Sequence, residues 1–579
     1  MKKITLLLNL AMVYGLLFFF TSCDDKQAQR IIKKQEFKKL LYYTLNIYSD
    51  SQVKKALKDF ERAKAAGYTH ILLDDTKFQK LDIMGKAYFA NAAHLVKETR
   101  RLGLKVGCSS MYTGHASSAL EQNPDLAEGF RVLGAPFLVK GNKAYPCIPD
   151  GFAIPFGAFE NPDQNSFKGF AFQDKPGLIT FADTSVAHTG TTSLRIEDPG
   201  KHDKHGRARV CIKFDEPEQD QPLLLTMWIK TLNFSGAKGI RILLYSDTAA
   251  IREEDMKHVN PIKPTQDWTK VRFLFNTSNM KQIKLWIGAW NAGTGKMWID
   301  DIKLQGAGLL NIIQRTGCEL VVKGNNGALY EEGRDYLPVK DEKIGDLLEY
   351  HEAPLLTLTT NSRIKDGDRL LLDYTHAFRC HKKVNNLCLS APESMAYHQR
   401  MTRILNEKFA PDFWLMYHDE IRVINRCPRC LKQKKTPGQL LADNIRGCYN
   451  IIRTLSPHAP VYIWSDMVDP YHNMKKHYFA VNGSLDKSYE GLASDIIILK
   501  WGINRKGSKF FADRGLRQVV CGYYDCGDAV LKDVRQRYQA NKDLPNVIGV
   551  CYASWKSEYD HIESWIDAVD SIFKGIRKK

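Results

Sequence analysis

The residues most suited to chemistry sit in the stretch 413–423, FWLMYHDEIRV. A mostly apolar run there delivers His418, Asp419 and Glu420 in succession. Two carboxyls at the end of a buried strand can divide the work of an acid and a base between them. A strand that simply emerges into water is the plainer account. Similar groups close other apolar runs: Asp75 ends THILLDD, His115 follows LKVGCSSMY, and Trp464 and Asp466 end PVYIWSD. Trp501 ends SDIIILKWG, the triplet Tyr523, Tyr524 and Asp525 ends RQVVCGYYD, and Trp555 and Glu558 follow NVIGVCYAS. Sugar rings stack on Trp and Tyr, and carboxylates bind hydroxyls or protonate a glycosidic oxygen. The inventory therefore points to a glycan. No Gly-rich phosphate loop, HExxH or G-x-S-x-G occurs, and no cofactor is expected.

These strand ends must be held together by a scaffold. Strand-like runs at 40–48, 69–75 and 104–112 alternate with helical patterns at 49–67 and 87–103. Ser49 or Asp50 caps the first helix, and Gly67 and Gly103 stop the two. The rhythm returns with a helix at 394–409 and strands at 412–418, 460–466, 494–502, 517–525 and 546–555. Helices at 436–456, 528–542 and 558–579 accompany them. Three strands before the break and five after it predict an α/β fold, a (β/α)8 TIM barrel interrupted after strand three. In such barrels chemistry sits at the carboxyl ends of the strands.

Between the halves the pattern changes to short alternating strands such as TSLRIED, RARVCIKF and IKLWIGAW. This spacing predicts an inserted antiparallel β-sandwich. Its strand order and its ending, Trp298 to Leu304 (WIDDIKL), resemble a jelly-roll carbohydrate-binding module. Trp228, Trp286 and Trp290 form either a sugar platform or core, and at least one is expected in the core. The expected division is 1–22 signal, 23–36 linker, 37–152 barrel strands 1–3, 153–306 sandwich, 307–385 a small β-rich insert and 386–579 barrel strands 4–8.

Lys2 and Lys3 precede an apolar run that ends in Thr21-Ser22-Cys23, a secretory pattern. The cysteine at the cut resembles a bacterial lipoprotein signal, with Cys23 as the lipidated residue. The resemblance implies export and a lipid anchor in a bacterial membrane, facing the periplasm or the cell surface. The formal charge of +18 is scattered, not blocked with aromatics, so no nucleic-acid partner is expected. Cys427-Pro-Arg-Cys430 is the one CxxC. A single such pair reads as a disulfide or two free thiols ahead of zinc, and no residue is assigned to a metal.

The barrel resembles family 20 glycoside hydrolases, the β-N-acetylhexosaminidases. The likeness rests on Asp419-Glu420 after strand four, IWSD on strand five, Trp501, Tyr523-Tyr524-Asp525, WKSE at 555–558 and the turn MYTGH ending at His115. It implies an exo-acting retaining hydrolase of oligo- or polysaccharides. Glu420 would be the general acid, its pKa raised by the neighbouring carboxylate. Asp419 would orient a substrate 2-acetamido group that attacks the anomeric carbon. Tyr523 or Tyr524 would bind that group's carbonyl, the tryptophans would wall the pocket, and Asp525 or Glu558 would hold hydroxyls. Tyr417 and His418 stand where that family keeps small residues, which implies a reshaped pocket. A glycosidase for another sugar, with Glu420 paired to Glu558 or Asp466, and a non-catalytic glycan-binding protein are the alternatives.

Overall fold

The structure, a computed structural model, describes residues 37–236, 240–246, 257–344, 350–377, 386–474, 478–523 and 530–577. The signal, Cys23, Tyr524 and Asp525 lie outside these residues. Eight parallel strands close a barrel: β1 (Lys38–Thr44), β2 (His70–Asp74), β3 (Lys105–Ser110), β4 (Phe413–Met416), β5 (Val461–Trp464), β6 (Ile497–Lys500), β7 (Arg517–Tyr523) and β8 (Val547–Ala553). The last pairs with the first, Leu40 opposite Cys551. Closure buries both faces of each strand, so the strands are nearly continuous apolar runs. At Gly107 a Cβ would meet the Phe413 ring at 2.2 Å. The large side chain of one strand needs the missing one of its neighbour.

Helices α1 (Asp50–Ala65), α2 (Lys86–Arg101), α3 (Pro392–Phe409), α4 (Pro437–Leu455), α5 (Arg505–Ala512), α6 (Val530–Gln539) and α7 (Ile562–Arg577) surround the barrel. The Ser49 side chain caps α1 by accepting from Gln52 N, and Thr436 with Gln439 forms a capping box on α4. Among the described residues no helix is long and apolar enough to cross a membrane.

The excursion leaves after β3 and returns at α3. It is nested. Phe130–Lys140 pairs antiparallel with Arg369–His376 in a sheet that also holds Lys143–Pro146, Val321–Gly324 and Leu356–Thr357. Residues 130–146, grouped with the barrel on sequence, thus join the segment after the sandwich. Inside that frame stand two five-stranded antiparallel sheets. One is built on Pro222–Leu232 and Lys296–Gly306, the other on Ala208–Asp215 and Gln282–Ala289. Leu225, Met227, Leu285 and Ile287 fill the space between them.

The sandwich core continues into the barrel loops through Val423 and Ala480. These belong to Val423–Ile424 and Ala480–Val481, which pair with each other in parallel. Arg426 Nη1 donates to Ser278 Oγ at 2.6 Å. The insert therefore grips the loop that starts at Glu420.

Candidate active site

Sequence periodicity placed acids and aromatics at one barrel mouth, and the structure brings most of them together. Trp464, Trp501 and Trp555 are mutual neighbours, with ring centroids 5.6–6.1 Å apart. Tyr42 joins them, edge-on to Trp464 at 5.7 Å and to Trp555 at 5.6 Å. Tyr417 stacks on Tyr112 at 4.8 Å and meets Trp464 edge-on at 6.4 Å. The result is a wall of indole and phenol faces around the mouth.

Acids, a histidine and an arginine lie beside that wall. His115 Nε2 is 3.1 Å from Glu420 Oε2 and 3.6 Å from Asp419 Oδ2. Arg422 Nη2 donates to Glu420 Oε2 at 2.5 Å. The guanidinium is buried over Phe479, and its Nε and Nη1 have no hydrogen-bond partner among the described residues. Asp466 Oδ2 accepts the Glu420 backbone N–H at 3.0 Å. Asp466 Oδ1 is buried and accepts from no described donor.

The surroundings shift the two adjacent acids in opposite directions. Burial raises the Glu420 pKa, but the His115 hydrogen bond and the Arg422 charge outweigh it and bring it to about 2. This reverses the sequence expectation of a raised Glu420. Asp419 goes the other way: burial, then the Asp466 carboxyl, push it well above the usual range. Burial raises Asp466 as well. Asp419 and Asp466 interact side chain to side chain, so a proton on one carboxyl would be shared with the other.

The backbone here is strained and closely packed. Met111, His115 and Glu420 have φ of 56°, 48° and 45°, in the left-handed region. Such residues each cost about 1–3 kcal/mol. Gly114 makes the turn fit, since a Cβ there would stand 1.8 Å from the Asp419 carbonyl oxygen.

Some expected residues lie elsewhere. His418 is fully buried, its Nε2 3.0 Å from Asn444 Oδ1 on α4, and burial lowers its pKa to about 4. It faces the helix layer rather than the mouth. Asp75 accepts from Ile47 N, Lys77 N and Tyr88 OH, capping the turn at Thr76–Gln79. Its neighbour Asp74 lies at the mouth instead, taking hydrogen bonds from Tyr42 OH at 2.5 Å and from Tyr112 OH. Burial raises the Asp74 pKa. Glu558 is exposed after β8, and Tyr523 ends β7. Sequence alone assigns neither Arg422 nor Tyr42 to the site, and of the two acids that end the second strand, Asp74 and Asp75, it takes Asp75. Strand alternation carried a signal for Asp74 and Tyr42; nothing local marked Arg422.

In the sandwich, Trp228, Trp286 and Trp290 are half-buried on the outer faces, so the expected core member is not among them. Arg209 lies over both Trp286 and Trp290, at 5.1 and 4.7 Å from the ring centroids. Trp228 stacks on His188 at 4.1 Å. Trp298 is buried, its Nε1 donating to Asp183 Oδ2 at 2.8 Å.

No protein-family model and no curated protein matches the chain. Among solved structures, a rhamnosidase from Novosphingobium sp. PP1Y is similar over 95% of this chain, at 11% identity and a TM-score of 0.30; this chain spans 60% of its length. A xylan-binding domain from Paenibacillus barcinonensis is similar over 26% of this chain and 91% of its own, at 10% identity and a TM-score of 0.19. The C-terminal family 22 carbohydrate-binding module of a Clostridium thermocellum protein is similar over 28% and 98%, at 9% and 0.21.

Proposed function

We propose that the barrel mouth hydrolyses glycosides, with Asp419 as proton donor and Glu420 as its ionised partner. The observation that carries this is the pair of adjacent acids gathered at His115 Nε2 beside an aromatic wall, with surroundings that shift their pKa values in opposite directions. Environments that drive two carboxyls apart define an acid and a base. A sugar ring stacks on the tryptophans. Asp419 protonates the leaving oxygen as the bond to the anomeric carbon breaks. Both carboxylate oxygens lie near His115 Nε2, so they are no more than about 7 Å apart, a limit that admits the retaining separation of about 5–5.5 Å. Glu420 then attacks the anomeric carbon, and water releases the sugar with Asp419 taking the proton back.

Family 20 chemistry is the second reading, supported by the adjacent Asp419-Glu420 and the aromatic wall. There Glu420 is the acid, and a 2-acetamido group is the nucleophile. It requires Glu420 to accept a proton against His115 and Arg422.

Leaving groups separate the two. Aryl glycosides with a dinitrophenolate leaving group need no acid. On them Asp419→Asn should retain activity while Glu420→Gln loses it; on poor leaving groups both should fail. The opposite pattern, confined to N-acetylhexosaminides, returns Glu420 to the acid role. Wild-type protein that binds glycans and cleaves none of a broad aryl-glycoside panel leaves only the binding reading.

Export and lipidation at Cys23 belong to the same proposal and rest on the N-terminal residues alone. Fatty-acid labelling that survives Cys23→Ala would refute the anchor.

A further inference from the structure

A second cluster of reactive groups lies where the two ends of the excursion meet the loop after β4. Cys388 Sγ is 3.5 Å from Cys430 Sγ and 3.8 Å from Cys427 Sγ. Glu128 Oε2 is 3.5 Å from Cys430 Sγ. One ligand atom from each of the four residues lies within 4.8 Å of all the others, and all four residues are buried. Among the described residues Cys318, Cys388, Cys427 and Cys430 are free thiols.

We propose that Glu128, Cys388, Cys427 and Cys430 hold a structural zinc ion. Tetrahedral zinc with Zn–S near 2.3 Å sets sulfurs about 3.8 Å apart, and a carboxylate oxygen near 2.1 Å from zinc stands about 3.6 Å from each sulfur. The observed spacings match both. Three thiolates and a carboxylate fill the four positions, with no place for water, as in closed structural sites.

The surroundings orient the ligands. Glu128 Oε1 accepts the backbone N–H of Arg426 at 2.9 Å and of Cys427 at 3.0 Å, which turns Oε2 toward the sulfurs. Such outer hydrogen bonds fix a ligand before the metal arrives. Ser390 Oγ is 2.9 Å from Cys430 Sγ. Cys427 caps the short helix Pro428–Lys432, its sulfur accepting from Cys430 N. The buried Arg315 donates to the Asp125 and Ala127 carbonyls, and its charge acts on Cys388, Cys427 and Glu128. Zinc with three thiolates and one carboxylate carries a net double negative charge, which this guanidinium partly offsets.

Cys318 lies against Cys427 on the excursion side and is left outside the ligand set. The ligands come from the exit of the excursion, its return and the loop after β4. Bound zinc would tie all three together and hold the loop that begins at Glu420.

The rival state is a disulfide between two of the sulfurs, which needs an oxidant to take two electrons. The full chain, purified without chelator or metal-affinity tag, distinguishes them. Elemental analysis should give about one zinc per chain, bound thiols should react only after chelation, and chelation should lower the melting temperature reversibly. Replacement with Co2+ should produce thiolate-to-metal absorption. Cys388→Ser and Cys430→Ser should lose the metal, and Cys318→Ser should keep it. Should the ligand variants not fold, the wild-type metal content and the Co2+ spectrum decide. Metal-free protein, with the thiols either free or disulfide-bonded, overturns the proposal, as does stoichiometric zinc in a Cys388→Ser/Cys430→Ser double variant.

Discussion

His115 and Glu420 are 305 residues apart in sequence and 3.1 Å apart at the barrel mouth. Both have left-handed backbones, and Gly114 lets their two turns touch. The contact, with the Arg422 charge, lowers the Glu420 pKa. A carboxyl held down to about 2 stays ionised until the pH falls through that value. In His115→Gln the hydrogen bond from the imidazole is gone, so the acid limb of the kcat/KM profile should move up from near 2 toward the ordinary Glu range of about 4.3. Glu420 stays ionised at neutral pH in both proteins, so the acid limb and not the plateau carries the test. An unmoved acid limb would detach His115 from Glu420.

The alkaline limb should belong to Asp419. Its raised pKa keeps the proton on as pH rises past the ordinary Asp range, and activity falls once the proton leaves. Asp466 is the neighbour whose charge holds it there, after burial itself. Asp466→Asn removes that charge but keeps an oxygen for the Glu420 N–H. The Asp419 pKa should drop, and the alkaline limb of kcat/KM should shift to lower pH. A pH profile with an unchanged alkaline limb would show that the two carboxyls do not share a proton.

The barrel was legible because its signals are local. Caps such as Ser49 and Thr436, stops such as Gly103 and short apolar runs fall within a few residues of each element they define. Side-chain facing was less legible. Asp74 and Asp75 are neighbours, as are Tyr417 and His418, and a shift of one residue along a strand exchanges the mouth for the helix layer. In each pair the residue assigned to bind substrate, Asp75 or His418, is the one that turns away from the mouth. The sheet of Phe130–Lys140 with Arg369–His376 joins segments far apart in the chain, and such pairing leaves no local pattern. The cysteine cluster was hidden in the same way: Cys427 and Cys430 are a visible pair, but Cys388 and Glu128 arrive from other segments.

Gly114→Ala tests how tightly the mouth is built. The new Cβ would fall 1.8 Å from the Asp419 carbonyl oxygen, so one of the two turns must move. The shift should separate His115 from Glu420. Overpacking of this kind costs about 1–3 kcal/mol. Denaturant unfolding should show a loss of that size, and activity should fall further than stability does. A fully active Gly114→Ala protein would mean that the approach of the two turns is dispensable.

The outer faces of the sandwich give the last test. Trp286 and Trp290 flank Arg209 in the open, whereas Trp298 is buried and hydrogen-bonded to Asp183. Planar groups left partly exposed on a sheet face suit stacking against sugar rings. A buried tryptophan serves packing. Trp298→Ala should therefore cost about 3–5 kcal/mol of stability. Trp286→Ala and Trp290→Ala should leave unfolding within about 1 kcal/mol of wild type, as surface changes do. If this face holds polysaccharide, those two variants should elute earlier in affinity electrophoresis or pull-down on insoluble glycans, while hydrolysis of small aryl glycosides stays unchanged. Equal retention of both variants and wild type would assign the pair to the Arg209 contact alone.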